Sequence, residues 1–263
     1  MPLQLAFEAH GEGPPVIVLH GMFGSGRNWR GVAGALAAQY RVLCVDLRNH
    51  GKSPWIDAMS YHDMAADVLA LIRSEGLDRP VVIGHSMGGK TAMTLALESP
   101  ASVGRLIVVD IAPVSYGDRL TPCVDAMLSL GPRAASDRAE AMRHFGLRNI
   151  SDASVVAFLM QNLTVRNDHF DWQLNLLAIG AAVPALCAFP PELAACRFNG
   201  PATLITGSLS DAVSAADRAA FIEQFPQART VEIEGAGHWV HADRRTEFMA
   251  ALGLLKTPRG VSA

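Results

Sequence analysis

Residues 81 to 91, VVIGHSMGGKT, constrain the fold of this chain more than any other segment. Three residues typical of a buried strand, VVI, are followed by the pentad GHSMG and then at once by a helical pattern. A serine held between two glycines at such a junction indicates a sharp, strained turn, because side chains at positions 84 and 88 would collide with the neighbouring strand and helix. An ordinary turn would not need glycine at both places. The segment therefore predicts a nucleophile elbow centred on Ser86.

Short apolar runs alternate with helical patterns on both sides of this segment. The expected strands are 15–20, 41–47, 80–85 and 105–111, and the expected helices are 28–38, 61–75 and 87–98. This rhythm is typical of crossover units and a parallel sheet. The unbroken apolar strands favour a sheet that is covered by helices on both faces.

The alternation stops near Pro113 and resumes with expected strands at 201–207 and 228–235. The intervening segment 113–200 carries helical signals only, and it is too apolar to be disordered. A chain of 263 residues with 50% hydrophobic content can bury one large core. We therefore expect a core domain formed by 1–112 and 201–263, with 113–200 inserted in it as a helical cap.

The net charge and the cysteines limit the kinds of partner and the cellular location that we expect for this protein. A net charge of -3 and a pI near 6.3 give no basic field for nucleic acid, so we expect a small-molecule partner. The N-terminus lacks a signal-peptide pattern, and no uninterrupted apolar run is long enough for a membrane span. The cysteines have no metal-type spacing and indicate free thiols in a reducing cytosol; they are Cys44, Cys123, Cys187 and Cys196. We thus expect a cytoplasmic protein without a metal site, of unspecified oligomeric state.

A serine nucleophile needs a base, since its hydroxyl is a poor nucleophile at neutral pH. His238 follows the last expected strand after a Gly-Ala-Gly loop, in the segment EGAGHWVHAD. The order of Ser86 before His238 matches the chain order known for elbow nucleophiles. His241, three residues further on, is interpreted as a structural or pocket-rim histidine. His238 is the predicted base.

An acyl-transfer site also needs two backbone N–H donors where negative charge develops. One should come from Met87, the residue after the nucleophile. The other should come from the loop HGMFGSGRNW after the first expected strand, in which the N–H of Met22 is the candidate and Phe23 is a neighbouring alternative.

The motifs HGMFGS, DLRNHGKSP, GHSMGGKTAM, VVDIAPV and GAGHWVHAD together resemble the α/β-hydrolase superfamily. Within it, they resemble the small bacterial esterases of the YbfF type and abhydrolase domain protein eleven of eukaryotes. The resemblance covers the core nearly end to end. It implies an α/β-hydrolase fold, serine ester hydrolysis without a cofactor, and a cap that closes over an acyl pocket.

The resemblance leaves the triad acid open. Most of the superfamily carries it in a Gly-x-x-Asp turn, but counting from Gly207 this chain has Ser210, and Asp211 lies one residue late. YbfF-type proteins carry the aspartate at the end of the strand after the nucleophile helix, where this chain has Asp110. A carboxylate at the end of an apolar strand needs a partner if it is buried. Asp110 is the first candidate, and Asp211 is the alternative acid.

The loop DLRNHGKSP resembles one that is widespread in the superfamily. Asp46 and Arg48 are assigned to loop architecture, and contact of His50 with substrate is the less favoured interpretation of that residue. Aromatic residues and methionines near the predicted site are candidates for pocket walls, although helical periodicity fits core positions in the cap equally well. The candidates are Phe23, Met160, Phe170, Trp172 and Trp239.

These features predict a carboxylesterase-type serine hydrolase for esters or acyl thioesters with small to medium acyl chains. The same machinery also serves carbon–carbon bond hydrolases, menaquinone-pathway lyases and cofactor-free perhydrolases, which stay open as alternatives. A hydrolase-like receptor that binds a small ligand without turnover is the alternative from another class. A haloalkane dehalogenase is disfavoured, because its elbow nucleophile would be aspartate where this chain has Ser86.

Overall fold

The computed structural model describes residues 1–130, 138–146, 148, 150, 152–166 and 169–254. Its main sheet has seven strands in the order β1-β3-β2-β4-β5-β8-β9. Strand β1 is antiparallel to β3, and every other pair is parallel. The bounds are β1 Phe7–His10, β2 Pro15–Leu19, β3 Arg41–Val45, β4 Val81–His85, β5 Arg105–Val109, β8 Ala202–Gly207 and β9 Ala228–Ile233. The predicted mostly parallel sheet is confirmed.

Helices cover both faces of this sheet, as predicted. The helices of the core are α1 Arg30–Leu36, α2 Tyr61–Ser74, α3 Met87–Glu98, α8 Ala215–Gln224, α9 Val240–Asp243 and α10 Arg245–Leu252. Successive strand residues point to opposite faces. Ile17 and Leu19 of β2 accordingly pack in the core that contains α2 and α3, whereas Val16 and Val18 pack in the core that contains α1 and α10.

The described part of the segment 113–200 contains four α-helices and a small hairpin. The helices are α4 Thr121–Ser129, α5 Arg138–Gly146, α6 Ala153–Met160 and α7 Leu176–Cys187. The hairpin pairs β6 Leu163–Arg166 with β7 His169–Trp172 in antiparallel register. The expectation of helices alone is therefore wrong for 163–166 and 169–172, where strands of four residues are too short to show a clear period of two in the sequence.

One stretch of this segment, Leu176–Leu193, is apolar enough by length and composition to cross a membrane, with a mean hydropathy of 1.6. This differs from the expectation drawn from uninterrupted apolar runs. In the structure, α7 ends at Cys187, packs against α4, and buries Ile179 and Val183 in the core. Core helices of folded proteins pass the same composition test, so the stretch is weak evidence for a membrane span.

Candidate active site

Ser86 lies between β4 and α3 in a strained backbone conformation, with φ 51° and ψ -119°. A left-handed φ costs a non-glycine residue about 1–3 kcal/mol and persists only where the surroundings enforce it. The flanking glycines are required by close approach: a Cβ at Gly84 would lie 2.2 Å from the carbonyl oxygen of Gly88, and a Cβ at Gly88 would lie 2.5 Å from that of Leu19. The sharp turn inferred from the sequence is therefore present at Ser86.

His238 lies on the loop after β9 and contacts a buried carboxylate. Its Nδ1 is 2.7 Å from Oδ2 of Asp110, which is 0% exposed at the end of β5, whereas the His238 side chain is 36% exposed. Asp110 also has a positive φ of 52°. The two residues are 128 positions apart in the chain, and the parallel strands bring them together at one edge of the sheet.

Asp110 accepts two further hydrogen bonds. The N–H of Gly207 donates to Oδ1 over 3.1 Å, and the hydroxyl of Ser210 donates to Oδ2 through a short contact. These donors, together with His238, compensate a buried carboxylate for the water that it has lost. Ser210 is thus a partner of Asp110, a role that the sequence reasoning did not assign to it.

Asp211, the alternative acid, is placed elsewhere. Its side chain is 75% exposed, and both of its carboxylate oxygens accept from Nη1 of Arg119, at 2.8 and 2.9 Å. Within the described part of the chain, Asp211 forms no hydrogen bond or ion pair with His238. The geometry therefore brings Asp110 to the imidazole and leaves Asp211 on the surface.

Two more histidines, His85 and His241, lie near His238. The Nε2–H of His85 donates to the carbonyl oxygen of His238 over 2.9 Å, which ties the residue before Ser86 to the predicted base. His241 is buried and stacks on Trp29 at a centroid distance of 4.0 Å. Burial, reinforced by the positive charge that His238 can carry, lowers the pKa of His241 to about 3. His241 is thus a neutral packing residue, in keeping with the structural interpretation.

The loop after β2 forms a tight turn beside Ser86. A Cβ at Gly21 would lie 3.3 Å from Cβ of Ser86, so the turn lies next to the serine. The N–H of Phe23 donates to Nε2 of His50 over 3.3 Å, which leaves Met22 as the candidate donor of this loop. The N–H of Met87 belongs to the first residue of α3, where helix amides have no partner within the helix.

The loop 46–54 holds the neighbourhood of this turn. Asp46 accepts from the backbone N–H groups of Gly26 and Lys52, at 2.7 and 2.8 Å. Arg48 is buried and forms a bidentate ion pair with Asp67 of α2, at 2.7 and 2.9 Å. His50 is also buried, and its ring nitrogens form hydrogen bonds with the N–H of Phe23 and the carbonyl oxygen of Arg48.

The candidate pocket residues divide into two groups. Phe23, Met160 and Trp172 are buried, and the indole N–H of Trp172 donates to the carbonyl oxygen of Met127 over 3.0 Å. Trp239 is half-buried, and its ring lies 5.2 Å from that of Phe158 in α6. The side chain of Phe170 lies outside the described part of the chain.

No group of three or more metal-binding side chains occurs among the described residues. A cavity of about 300 Å³ opens beside β1 and β3, and none of the candidate catalytic residues lines it. Its charged lining residues are Glu8, Arg27, Arg30, Asp46 and Lys52.

The chain is similar in sequence and in fold to proteins of known family. The profile of the α/β-hydrolase fold family matches residues 14–244. The chain is 36% identical to sn-1-specific diacylglycerol lipase ABHD11 of Xenopus tropicalis over 94% of its length and 79% of that protein. It is 31% identical to esterase YbfF of Escherichia coli K12, over 90% of its length and 91% of that protein. Among solved structures, a marine microorganism esterase is 36% identical and matches with a TM-score of 0.91, covering 96% of this chain and 100% of that one.

Proposed function

The chain belongs to the α/β-hydrolase fold family, within its esterase and lipase branch, and on that premise we propose that it is a serine carboxylesterase with Ser86, His238 and Asp110 as its triad. The observation that carries the proposal is the 2.7 Å contact between His238 Nδ1 and the buried Asp110 carboxylate, at the sheet edge where Ser86 is held in its strained turn. A serine, a base and an acid in these roles are the requirements of acyl transfer.

The first half-reaction forms an acyl-enzyme. His238 takes the proton of the Ser86 hydroxyl as the oxygen attacks the ester carbonyl, and the carbonyl oxygen becomes an oxyanion that accepts from the N–H groups of Met22 and Met87. When the tetrahedral intermediate collapses, the bond to the alcohol breaks. His238 returns its proton to the departing alkoxide, and Ser86 remains acylated.

The second half-reaction repeats the cycle with water. His238 takes a proton from water, the resulting hydroxide attacks the acyl carbon, and the proton returns to the Ser86 oxygen as the carboxylic acid leaves. Asp110 accepts from Nδ1 throughout, which fixes the imidazole tautomer and stabilises its positive charge. The hydrogen bonds from Ser210 and Gly207 hold that carboxylate in place.

The proposed substrates are carboxylic esters or acyl thioesters of small to medium chain length. Relatives named diacylglycerol lipase and esterase support a carboxylic ester as the substrate class. We propose that the segment 113–200 roofs the acyl pocket, with the contact between Phe158 and Trp239 joining it to the loop of the base. We also propose a cytoplasmic location, in keeping with the four free cysteines.

The test combines covalent labelling with a substrate series. A fluorophosphonate probe should label the wild-type protein at Ser86 and leave Ser86→Ala unlabelled. Turnover of p-nitrophenyl esters from acetate upwards should be lost in Ser86→Ala and in His238→Ala, by as much as about a million-fold. A matched set of acyl thioesters assigns the leaving group, and labelling without turnover of any ester would indicate the ligand-binding receptor instead. Turnover that survives in folded Ser86→Ala would overturn the proposal.

A further inference from the structure

The turn that carries the candidate oxyanion donor Met22 is strained at its next residue. Phe23 has φ 60°, and the N–H of Gly24 closes the turn on the carbonyl oxygen of Gly21 over 3.0 Å. A positive φ at the third position of a β-turn with a negative φ at the second, here Met22, marks the type II geometry, whose third position glycine or asparagine normally occupies. A phenylalanine persists there only if its surroundings over-determine the conformation.

Two buried side chains hold the Phe23 backbone from opposite ends. The N–H of Phe23 donates to Nε2 of His50 over 3.3 Å, and its carbonyl oxygen accepts from Nδ2 of Asn162 over 2.7 Å. His50 comes from the loop 46–54, and Asn162 comes from the segment 113–200, between α6 and β6. The strained residue is therefore fixed by two parts of the chain that are remote in sequence.

His50 can accept this hydrogen bond only as a neutral imidazole. Its Nδ1–H donates to the carbonyl oxygen of Arg48 over 2.9 Å, so the tautomer with a free Nε2 lone pair is the one that both contacts require. Burial, with a smaller effect of nearby His20, lowers the pKa of His50 to about 3. His50 therefore remains an acceptor throughout the pH range in which an esterase would work.

The direction of the Met22 N–H follows from the adjoining peptide. The carbonyl oxygen of Gly21 accepts from the N–H of Gly24 and from Nδ1 of His20, at 3.0 and 2.8 Å. In a trans peptide the N–H points opposite to the carbonyl, so these bonds set the direction of the Met22 N–H. If Phe23 relaxed to a negative φ, the turn would change to type I by rotation of the Met22–Phe23 peptide, which would disturb the adjoining Gly21–Met22 peptide and the direction of the Met22 N–H.

We propose that His50 and Asn162 are positioning residues for the oxyanion hole, which hold Phe23 in its left-handed conformation and thereby keep the Met22 N–H directed at the Ser86 site. This inference rests on the proposed serine esterase function. It gives the segment 113–200 a part in stabilising the transition state, in addition to its proposed part in roofing the pocket.

The principal test is Asn162→Asp, which keeps the shape of the side chain but replaces the donor N–H₂ by an oxygen that repels the Phe23 carbonyl. Gln161→Ala is the matched control, because Gln161 accepts from Arg27 and Asn28 of the same loop, whereas the hydrogen bond to the Phe23 carbonyl comes from Asn162. The readouts are kcat and KM for p-nitrophenyl butyrate and the Ki of an alkyl trifluoromethyl ketone, whose hemiketal oxygen occupies the oxyanion hole.

Loss of one oxyanion donor costs about a hundred- to a thousand-fold in kcat, so we expect misdirection of Met22 in Asn162→Asp to cost about ten- to a hundred-fold. KM should stay within about twofold, and the Ki should rise by the factor by which kcat/KM falls. Gln161→Ala should keep wild-type values. His50→Leu should behave like Asn162→Asp, and His50→Gln, which retains an acceptor, should recover part of the loss.

Several results would overturn the inference. These are wild-type kcat and Ki in Asn162→Asp, a rise in KM with unchanged kcat, or an equal loss in Gln161→Ala. Circular dichroism and fluorophosphonate titration of active sites give the folded fraction, and each rate is normalised to it. If His50→Leu folds poorly, the comparison of Asn162→Asp with Gln161→Ala still decides the question. Turnover that survives in Ser86→Ala would instead mean that the proposed function fails.

Discussion

The hydroxyl of Ser210 donates to Oδ2 of Asp110, the same carboxylate oxygen that His238 contacts. Ser210 occupies the position, counted from Gly207, at which most of the superfamily carries its acid. Here the carboxylate directly follows β5, the strand that pairs with β8. Asp110 and Ser210 therefore follow adjacent strands and lie on the same side of one imidazole. Asp110 supplies the carboxylate, and Ser210 supplies a hydroxyl that supports it.

The first prediction concerns which carboxylate orients His238. Asp110→Asn should lower kcat on a p-nitrophenyl ester by about ten-thousand-fold, because the amide allows the wrong imidazole tautomer. Asp211→Asn is the matched control and should keep nearly wild-type kcat, since its carboxylate is exposed and paired with Arg119. Both are measured on the same ester at the same pH. The reverse ranking would move the acid to Asp211, and two mild effects would mean that either carboxylate serves.

The second prediction concerns the hydrogen bond from Ser210 to Asp110 and the ability of position 210 to carry the acid. Ser210→Ala removes a hydrogen bond to a charged group, which is worth about 1.5–3 kcal/mol, and should lower kcat by about tenfold. Ser208→Ala is the control, because that hydroxyl accepts from Gly235 instead. In the double variant Asp110→Asn, Ser210→Asp, a carboxylate returns to the common position and should recover at least about tenfold of the activity lost in Asp110→Asn. Failure to recover any activity would show that position 210 cannot present an acid to His238.

The sequence predicted some of these residues better than others for physical reasons. Ser86 lies in a motif whose spacing reflects backbone collisions that any chain would meet at this turn. Asp110 and His238 could be paired only through the strand order and the family pattern, because 128 residues separate them. Nothing local marks Asn162, since its role depends on how the inserted segment docks against Phe23.

The same limit applies to the fold. The buried parallel strands have unbroken apolar runs and were predicted within about two residues of their observed ends. Strand β1 and the hairpin β6–β7 were missed, because each strand has four residues and depends on a partner strand for its pairing. Short strands of this kind are specified by tertiary contacts more than by their own residues.

The third prediction tests the elbow glycines by stability. A Cβ at Gly84 would lie 2.2 Å from a backbone oxygen, so Gly84→Ala should destabilise the protein by about 3 kcal/mol or more. Gly34 in α1 is the matched control, because a Cβ there meets nothing within 4 Å. Gly34→Ala should raise stability by about 0.5–1 kcal/mol. Denaturant unfolding measures both, and equal effects would mean that the collision at Gly84 is relieved by a small backbone shift.

The fourth prediction concerns His62 of α2, whose ring nitrogens contact Glu98 of α3 and Glu192, the latter at 2.5 Å. Partial burial opposes protonation of His62, but the hydrogen bonds to Glu98 and Glu192 outweigh it and raise its pKa above 6.5. A raised folded-state pKa adds stability that is complete below pH 6.5 and is lost as the pH rises through the folded-state value.

His62→Gln should therefore lower the melting temperature by about 2 °C near pH 5.5, a small effect because exposed pairs are screened, and leave it unchanged near pH 9. Differential scanning fluorimetry across this range measures the difference between the two proteins. A difference that persists unchanged at alkaline pH would attribute the effect of His62 to packing and not to its charge.

The last prediction separates the two tryptophans proposed for the pocket. Trp172 is buried, donates to the carbonyl of Met127, and lies edge-on to Phe145 at 6.4 Å. Trp172→Ala should therefore lower the free energy of unfolding by about 3–5 kcal/mol and leave the chain-length profile of normalised p-nitrophenyl ester turnover unchanged. Trp239 follows His238 directly and is half-buried against Phe158, so Trp239→Ala should shift the preferred acyl chain towards longer esters at a smaller cost in stability. Only a residue that contacts the acyl chain can set the preferred chain length. A shifted chain-length profile in Trp172→Ala, with an unchanged profile in Trp239→Ala, would therefore place the acyl pocket on the side of α4 and the hairpin.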